Sequence, residues 1–169
     1  MSTKVKTGKV RASYANVFKP RMNDLKGKLE YSLDVIIPKS DTGTIDRIHD
    51  AIEIEKRKMF GNKVPNKFHT PIKDGDVDHP NNPEYHNAYY LKLSSAVKPG
   101  IVDRELQPVM DESEFSSGDY CRVSIAVMAY DMPANKGVTA KLGNIQVLEK
   151  GEPLGGLSRP ENDFTRWDD

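Results

Sequence analysis

The sequence lacks the features of a secreted, membrane or disulfide-bonded protein. Cys121 is the single cysteine among 169 residues, so neither an intrachain disulfide nor a cluster of thiolate metal ligands is expected. No apolar run approaches the roughly 20 residues that a membrane span needs. The Lys-rich N-terminus has no apolar segment of the kind that a secretory signal carries. These absences predict a cytoplasmic protein that does not enter a membrane.

Net charge is also absent, because 25 basic residues balance 25 acidic residues. The two signs are distributed unevenly: residues 1–28 hold eight Lys or Arg and one acid, whereas residues 152–169 hold five acids and two Arg. The acidic end follows a Gly- and Pro-rich stretch and has too little apolar surface to fold alone. We expect it either to occupy a basic groove or to bind partner proteins through Phe164, Trp167, Asp168 and Asp169; an ordinary frayed terminus is the alternative.

Motifs of catalysis are missing as well. The sequence contains no Walker A motif, dinucleotide-binding fingerprint, nucleophile elbow or zinc-protease motif. The acids of residues 74–78 alternate as in a calcium loop, but His79 replaces the glycine and Tyr85 the final glutamate that an EF-hand needs. We therefore predict no enzyme activity, no cofactor and no metal. A metal-dependent nuclease remains an alternative, built from Asp74, Asp76, Asp78 and Glu84.

What the sequence does contain is alternation of apolar and polar residues, which is typical of strands with one buried face. The clearest case runs from Leu29 to Ile37. A period near 3.6 predicts one helix over residues 42–59, with Met59 on its apolar stripe. A phase slip at Gly143-Asn144 predicts a β-bulge. Strands are predicted at 9–18, 29–37, 88–97, 119–131 and 138–148, with a long polar loop at 61–87 and a hairpin-rich excursion at 98–117.

Short antiparallel strands and a single helix favour a mainly β fold. We predict an OB-like five-stranded Greek-key barrel with one inserted helix, and a β-sandwich is the competing architecture. The barrel domain is expected to span residues 1–150. Residues 151–169 are expected to form a flexible, disordered acidic tail.

Several strands carry aromatic and basic side chains on the face that points away from the core. Proteins bind single strands by this combination, since cations follow the phosphates while rings stack on bases. Tyr14 and Phe18 could equally be core residues, because they lie among apolar neighbours. The predicted nucleic-acid-binding residues are Tyr14, Phe18, Lys19, Arg21, Tyr90, Lys92, Lys98, Arg104, Tyr120, Arg122 and Tyr130.

Long stretches of the chain resemble a family of tailed-phage single-stranded-DNA-binding proteins, long carried as an uncharacterised conserved domain. The similarity runs from about residue 9 to residue 164 and includes RASYANVF, YSLDVIIPKSD, NPEYHNAYYLKLSS, GDYCRVSIAVMAY and GEPLGGLSRPENDF.

The resemblance implies an OB-like barrel that coats single-stranded DNA (ssDNA) with little sequence preference. It also implies a role in phage DNA replication or recombination in the cytoplasm of an infected bacterium. Replication or recombination proteins are the expected partners of the acidic tail, by analogy with other single-strand-binding proteins. A homodimer, an RNA-binding role and a protein-interaction adaptor stay open as alternatives.

Overall fold

A computed structural model describes residues 2–154 and 164–167 of the chain. The two α-helices are α1 (Thr42–Phe60) and α2 (Gly75–Asp78), and single 3₁₀ turns cover Pro83–Tyr85 and Glu112–Glu114. The strands are β1 (Thr3–Lys6), β2 (Val10–Asn23), β3 (Lys28–Pro38), β4 (Ile72–Asp74), β5 (Ala88–Ser95), β6 (Ile101–Val102), β7 (Tyr120–Met132) and β8 (Asn135–Glu149).

Five of these strands close into a barrel. Antiparallel pairs join β7 to β2, β2 to β3, β3 to β5, and β7 to β8. A parallel contact between Ser94 of β5 and Lys141 of β8 completes the circle. The closed path rules out a two-layer sandwich and confirms the five-stranded Greek-key barrel predicted from the sequence.

The barrel is filled by every second side chain of its strands. Leu33, Val35 and Ile37 of β3 are fully buried, in phase with the predicted alternation. The apolar stripe of α1 packs into the same core, and Asp41 caps the helix by accepting a hydrogen bond from the Thr44 backbone N–H. Met59 is exposed and was wrongly placed on this stripe, because the buried part of the helix ends at Glu55.

The β-bulge in β8 is confirmed. Val123 pairs with Ile145 and Ile125 pairs with Leu142, so two steps along β7 correspond to three along β8. The extra residue falls at Gly143-Asn144. The Asn144 backbone N–H donates to Ser124 Oγ at 2.8 Å, which satisfies a donor that the interrupted ladder leaves free.

Two predicted segments differ from the structure. The stretch at 61–87 was predicted to be one long loop, but it contains β4, α2 and a 3₁₀ turn. Sequence periodicity missed these elements because they are short and β4 is held by pairing with β5. The strand predicted at 9–18 is β2, which extends further, to Asn23. It is preceded by β1, which was not predicted and pairs with β7. None of the helices within the described residues is long and apolar enough to cross a membrane.

Most of the predicted acidic tail, including Asp168 and Asp169, lies outside the described residues. Phe164 and Trp167 are described, and both are largely exposed, at 75% and 84%. Their aromatic rings are therefore available to other molecules in this structure.

Candidate nucleic-acid interface

The outer face of β3 and β5 forms the floor of an open groove. Asp34 of β3 lies directly opposite Lys92 of β5, with Ser32 and Ser94 as the next pair along. Two adjoining depressions, of about 550 and 320 Å³, share Lys92 and the β8 residue Thr139. We call this the barrel groove; it is further lined by Arg21, Asn23, Lys26, Glu30, His69, Lys73, Tyr130 and Asn135.

The β2–β3 hairpin forms the first wall of the barrel groove. Asn23 turns the chain by accepting backbone N–H bonds from Leu25 and Lys26. Glu30 accepts hydrogen bonds from the Asn23 amide at 2.7 Å and from Lys26 Nζ at 3.2 Å. Burial opposes ionisation of Glu30, but these bonds outweigh it and lower the pKa of the carboxyl. Arg21 is exposed at this wall, so the wall offers a cation to a ligand.

The β7–β8 hairpin forms the second wall. Tyr130 is half-buried, and its hydroxyl donates to Asn135 Oδ1 at 3.1 Å, which fixes the ring at the rim. The segment before β4 is fastened to this hairpin, since the His69 N–H donates to Lys136 O and the His69 carbonyl accepts from Val138 N–H. A side chain at Gly137 would meet His69 O at 2.3 Å, so glycine permits this close approach.

Asp34 places a carboxyl in the floor of the groove. The residue is only 8% exposed. Burial raises the pKa of Asp34 to about 6, although the neighbouring Lys92 ammonium acts in the opposite direction. A weakened acid and a cation on neighbouring strands give the floor an acceptor and a donor at opposing positions. Such a pair can meet the exposed edge of any base, because every base carries donors and acceptors side by side.

Residues 75–86 cover one end of the β3–β5 face. Tyr85 is buried and its hydroxyl donates to Ser13 Oγ at 3.0 Å, while His79 stacks on its ring at 4.2 Å between centroids. Tyr90 packs edge-on against Tyr85 and donates its hydroxyl to Asp78 Oδ2 at 2.8 Å.

This packing corrects the prediction for Tyr90. The residue is 3% exposed, so its ring cannot receive a base while the 75–86 segment is in place. Its neighbour on the same strand face, Lys92, is exposed in the groove as expected.

Tyr14 is the most unusual predicted residue. It lies where β2 bulges, between Ser13, which pairs with Asp34, and Asn16, which pairs with Ser32. Its φ of +46° is a left-handed conformation that costs a tyrosine roughly 1–2 kcal/mol. The residue is 58% exposed, so packing does not explain the strain. Strained residues of this kind concentrate at functional sites.

Phe18, Lys98 and Lys19 are the remaining predicted residues near this part of the barrel. Phe18 is half-buried and packs on the core, which confirms the alternative reading of this ring. Lys98 Nζ lies 5.9 Å from the Phe18 centroid, within cation–π range. Lys19 is exposed on β2, two residues before Arg21.

Three other predicted residues lie on a different surface. Arg104 and Arg122 line a cleft of about 870 Å³ between β1, α1 and the far end of the β7–β8 ribbon. We call it the basic cleft; its other cations are Lys4, Lys6, Lys9 and Arg47, and Asp50 is its one acidic residue. Tyr120 lies beside it, with Lys9 Nζ 4.9 Å and Arg11 Cζ 5.5 Å from its ring centroid. The structure thus separates residues that the sequence grouped as one site.

Several groove residues were absent from the sequence prediction, notably Ser32, Asp34 and Thr139. The alternation of β3 placed Ser32 and Asp34 on its polar face, which was a usable signal. Their convergence with Lys92 depends on the pairing of β3 with β5, and alternation within one strand does not reveal its partner.

The four acids proposed for a nuclease are not gathered into one group that could hold a metal ion. Lys39 Nζ bonds Asp74 and Asp76 at 3.0 and 2.8 Å, and Asp78 accepts from Tyr90. Within residues 2–154 and 164–167, no group of three or more His, Cys, Asp or Glu side chains is placed to hold a metal ion.

A closed five-stranded barrel with a polar groove on the face of its second and third strands, between two hairpins, defines an OB-fold protein. Proteins of this class bind oligonucleotides or oligosaccharides on that face. The chain belongs to the family described as Enterobacter phage Enc34, ssDNA-binding protein, which matches residues 3–169. The family resemblance read from the sequence is therefore confirmed.

Solved structures agree with this assignment. The single-stranded DNA-binding protein from bacteriophage Enc34 in complex with ssDNA is 26% identical, over 90% of this chain and 89% of that one, with a TM-score of 0.79. Its C-terminal truncation is 25% identical, over 89% and 88%, with a TM-score of 0.77. Bacteriophage T7 gp2.5, a single-stranded DNA binding protein, shares the fold at 17% identity, over 96% and 93%, with a TM-score of 0.65. A comparison with curated protein sequences found no match.

Proposed function

We propose that this chain binds ssDNA in the barrel groove and coats it with little sequence preference during phage DNA replication or recombination. The observation that carries the proposal is the open groove on the β3–β5 face, with Lys92 in its floor and Arg21 and Tyr130 on opposite walls. Family membership and the ssDNA complex of the Enc34 relative support it.

The groove chemistry supports binding without strong sequence preference. Lys92 and Arg21 are suited to phosphates. The half-buried ring of Tyr130 at the rim and the exposed Tyr14 on the bulge of β2 are suited to base faces, which all four bases share. The Asp34–Lys92 pair offers one acceptor and one donor. Different bases can turn their own donor and acceptor groups toward this pair. Little in this set distinguishes one base from another.

Exposed Phe164 and Trp167 support a second role for the C-terminal residues. With the acids that follow in the sequence, they would form a short aromatic and acidic segment that recruits replication or recombination proteins. Such recruitment would leave the barrel groove free for DNA.

The test of DNA binding is a fluorescence-anisotropy titration of labelled oligo-dT over a salt series, with duplex DNA and RNA of equal length in parallel. Wild type should favour the single strand, with affinity that falls by about 0.7 log units per contacted phosphate for each log unit of salt. Lys92→Ala should weaken binding, whereas Lys63→Ala, an exposed lysine outside the groove, should not. The variant Asp168→Asn/Asp169→Asn is titrated as well, because the acidic end could itself occupy the groove. Absence of binding at low salt in both wild type and this variant would refute the proposal.

A further inference from the structure

The basic cleft holds a larger excess of positive charge than either depression of the barrel groove. Six cations and one acid line it, whereas the β2–β3 end of the barrel groove balances Arg21, Lys26 and Lys92 with three carboxyls. Of the six, Lys9 pairs with Glu149. Among the described residues the other five have no carboxylate partner: Lys4, Lys6, Arg47, Arg104 and Arg122.

Hydrogen bonds hold the arginines of the cleft in place without neutralising them. Arg122 donates twice to Gln146 Oε1, at 2.6 and 3.0 Å. Arg47 Nε donates to the Lys6 carbonyl, and Arg104 reaches the Leu148 carbonyl at 3.4 Å. All these acceptors are neutral, so the positive charge remains available to an anionic ligand.

The spacing of the cations suits a polymer rather than a single anion. Lys4 and Lys6 lie on the same face of β1, two residues and hence about 7 Å apart. That spacing is comparable with the distance between adjacent phosphates of an extended single strand. None of the described residues that line the cleft is aromatic, so these residues offer contacts to a backbone and none to stacked bases.

A basic path leads from the cleft toward the barrel groove. Lys9 lines both the basic cleft and a neighbouring depression of about 700 Å³ that also contains Arg11, Lys39 and Tyr120. That depression is bounded by Pro83 and His86, which belong to the segment covering one end of the β3–β5 face. The cleft and the groove are far apart along β7, because Arg122 of the cleft and Tyr130 of the groove are separated by eight residues, or about 26 Å.

We propose that the basic cleft is a second ssDNA subsite, which holds the sugar–phosphate backbone of a strand whose other part lies in the barrel groove. The inference rests on the proposed function, because it assumes that the groove binds ssDNA. A strand long enough to leave the groove follows Tyr120 and Lys9 into the cleft and is wrapped around the barrel. One protein molecule then covers more nucleotides than the groove alone can hold.

Oligonucleotide length separates the two subsites experimentally. Oligo-dT of about 8 nucleotides fits within the site of one OB fold, roughly 4–16 nucleotides, and should engage the barrel groove alone. Oligo-dT of about 25 nucleotides should reach both. For Lys4→Ala/Lys6→Ala, we expect the salt slope on the long oligonucleotide to fall by about 1.4, or 0.7 for each lost phosphate contact. Binding of the short one should be unchanged.

Two matched variants control for folding and for general charge. Lys4→Arg/Lys6→Arg should keep the wild-type slope, and Lys63→Ala/Lys67→Ala removes two exposed lysines that line neither surface and should keep it too. Thermal melting verifies that each variant is folded. If Lys4→Ala/Lys6→Ala binds the long oligonucleotide with the wild-type slope, the cleft proposal is overturned. Failure of wild type to bind even the short oligonucleotide overturns the groove function instead.

Discussion

Substitution of Tyr14 by glycine should change stability and DNA binding in opposite directions. Glycine removes the left-handed strain of roughly 1–2 kcal/mol, but it costs about 0.5–1 kcal/mol because the unfolded chain gains freedom. The free energy of unfolding should therefore stay level or rise by up to about 1.5 kcal/mol. The exposed ring makes few contacts whose loss would offset this gain.

Binding should weaken in the same variant, because the ring is the part that a base can stack on. One stacked base contributes roughly 1–3 kcal/mol, so the Kd for oligo-dT should rise about 5- to 150-fold. Tyr14→Phe keeps the ring and should bind within about twofold of wild type, since the Tyr14 side chain forms no hydrogen bond within the described structure.

Urea denaturation and anisotropy titration of the same preparations give both quantities. A structural tyrosine would behave in the reverse way: Tyr14→Gly would lose stability and, once corrected for the folded fraction, would bind oligo-dT like wild type. That pattern would refute the assignment of Tyr14 to the DNA interface.

Three further substitutions or probes test the remaining structural claims. The raised pKa of Asp34, about 6 against an ordinary 3.8, stabilises the folded state below pH 4, and this contribution is lost as pH rises through 6. In urea denaturation, the free energy of unfolding of Asp34→Asn should therefore exceed that of wild type by up to about 3 kcal/mol at pH 8 and by much less at pH 4. An equal difference at both pH values would contradict this. Burial raises the pKa of the Cys121 thiol to about 12, so Ellman's reagent should label it only after unfolding, and fast labelling of the native protein would count against the buried position. A Cβ at Gly143 would lie 2.5 Å from Ser124 Oγ and 2.7 Å from Ser124 O. The free energy of unfolding of Gly143→Ala should therefore fall by about 1–3 kcal/mol. In the control Gly43→Ala the added Cβ lies 3.4 Å from its nearest neighbour, so its melting temperature should stay close to that of wild type.

The strands and their core faces could be predicted because period-two alternation is a local property. It correctly placed Leu33, Val35 and Ile37 inside, and the phase slip at Gly143-Asn144 correctly predicted the bulge. Closure of the barrel was predicted only from the number of strands and the single helix. Local patterns cannot reveal it, because the Ser94–Lys141 contact joins residues 47 positions apart.

The candidate site was harder to predict because it depends on contacts between distant segments. Tyr90 and Lys92 do share a strand face, but the 75–86 segment covers Tyr90, and the Tyr85–Ser13 hydrogen bond that helps to hold it spans 72 positions. Arg122 and Tyr130 also share the outer face of β7. Alternation reveals the face of a strand but not the position along it, so two surfaces at opposite ends were predicted as one.

The central claim is that ssDNA lies in the barrel groove, and photocrosslinking tests it most directly. A short oligo-dT of about 8 nucleotides carrying 5-iodouracil would be irradiated with the full chain, and the crosslinked peptides identified by mass spectrometry. We predict crosslinks to Tyr130 at the rim of the groove and to Tyr14 on the neighbouring bulge of β2. Crosslinks confined to peptides outside the groove, with neither of these tyrosines modified, would contradict the account.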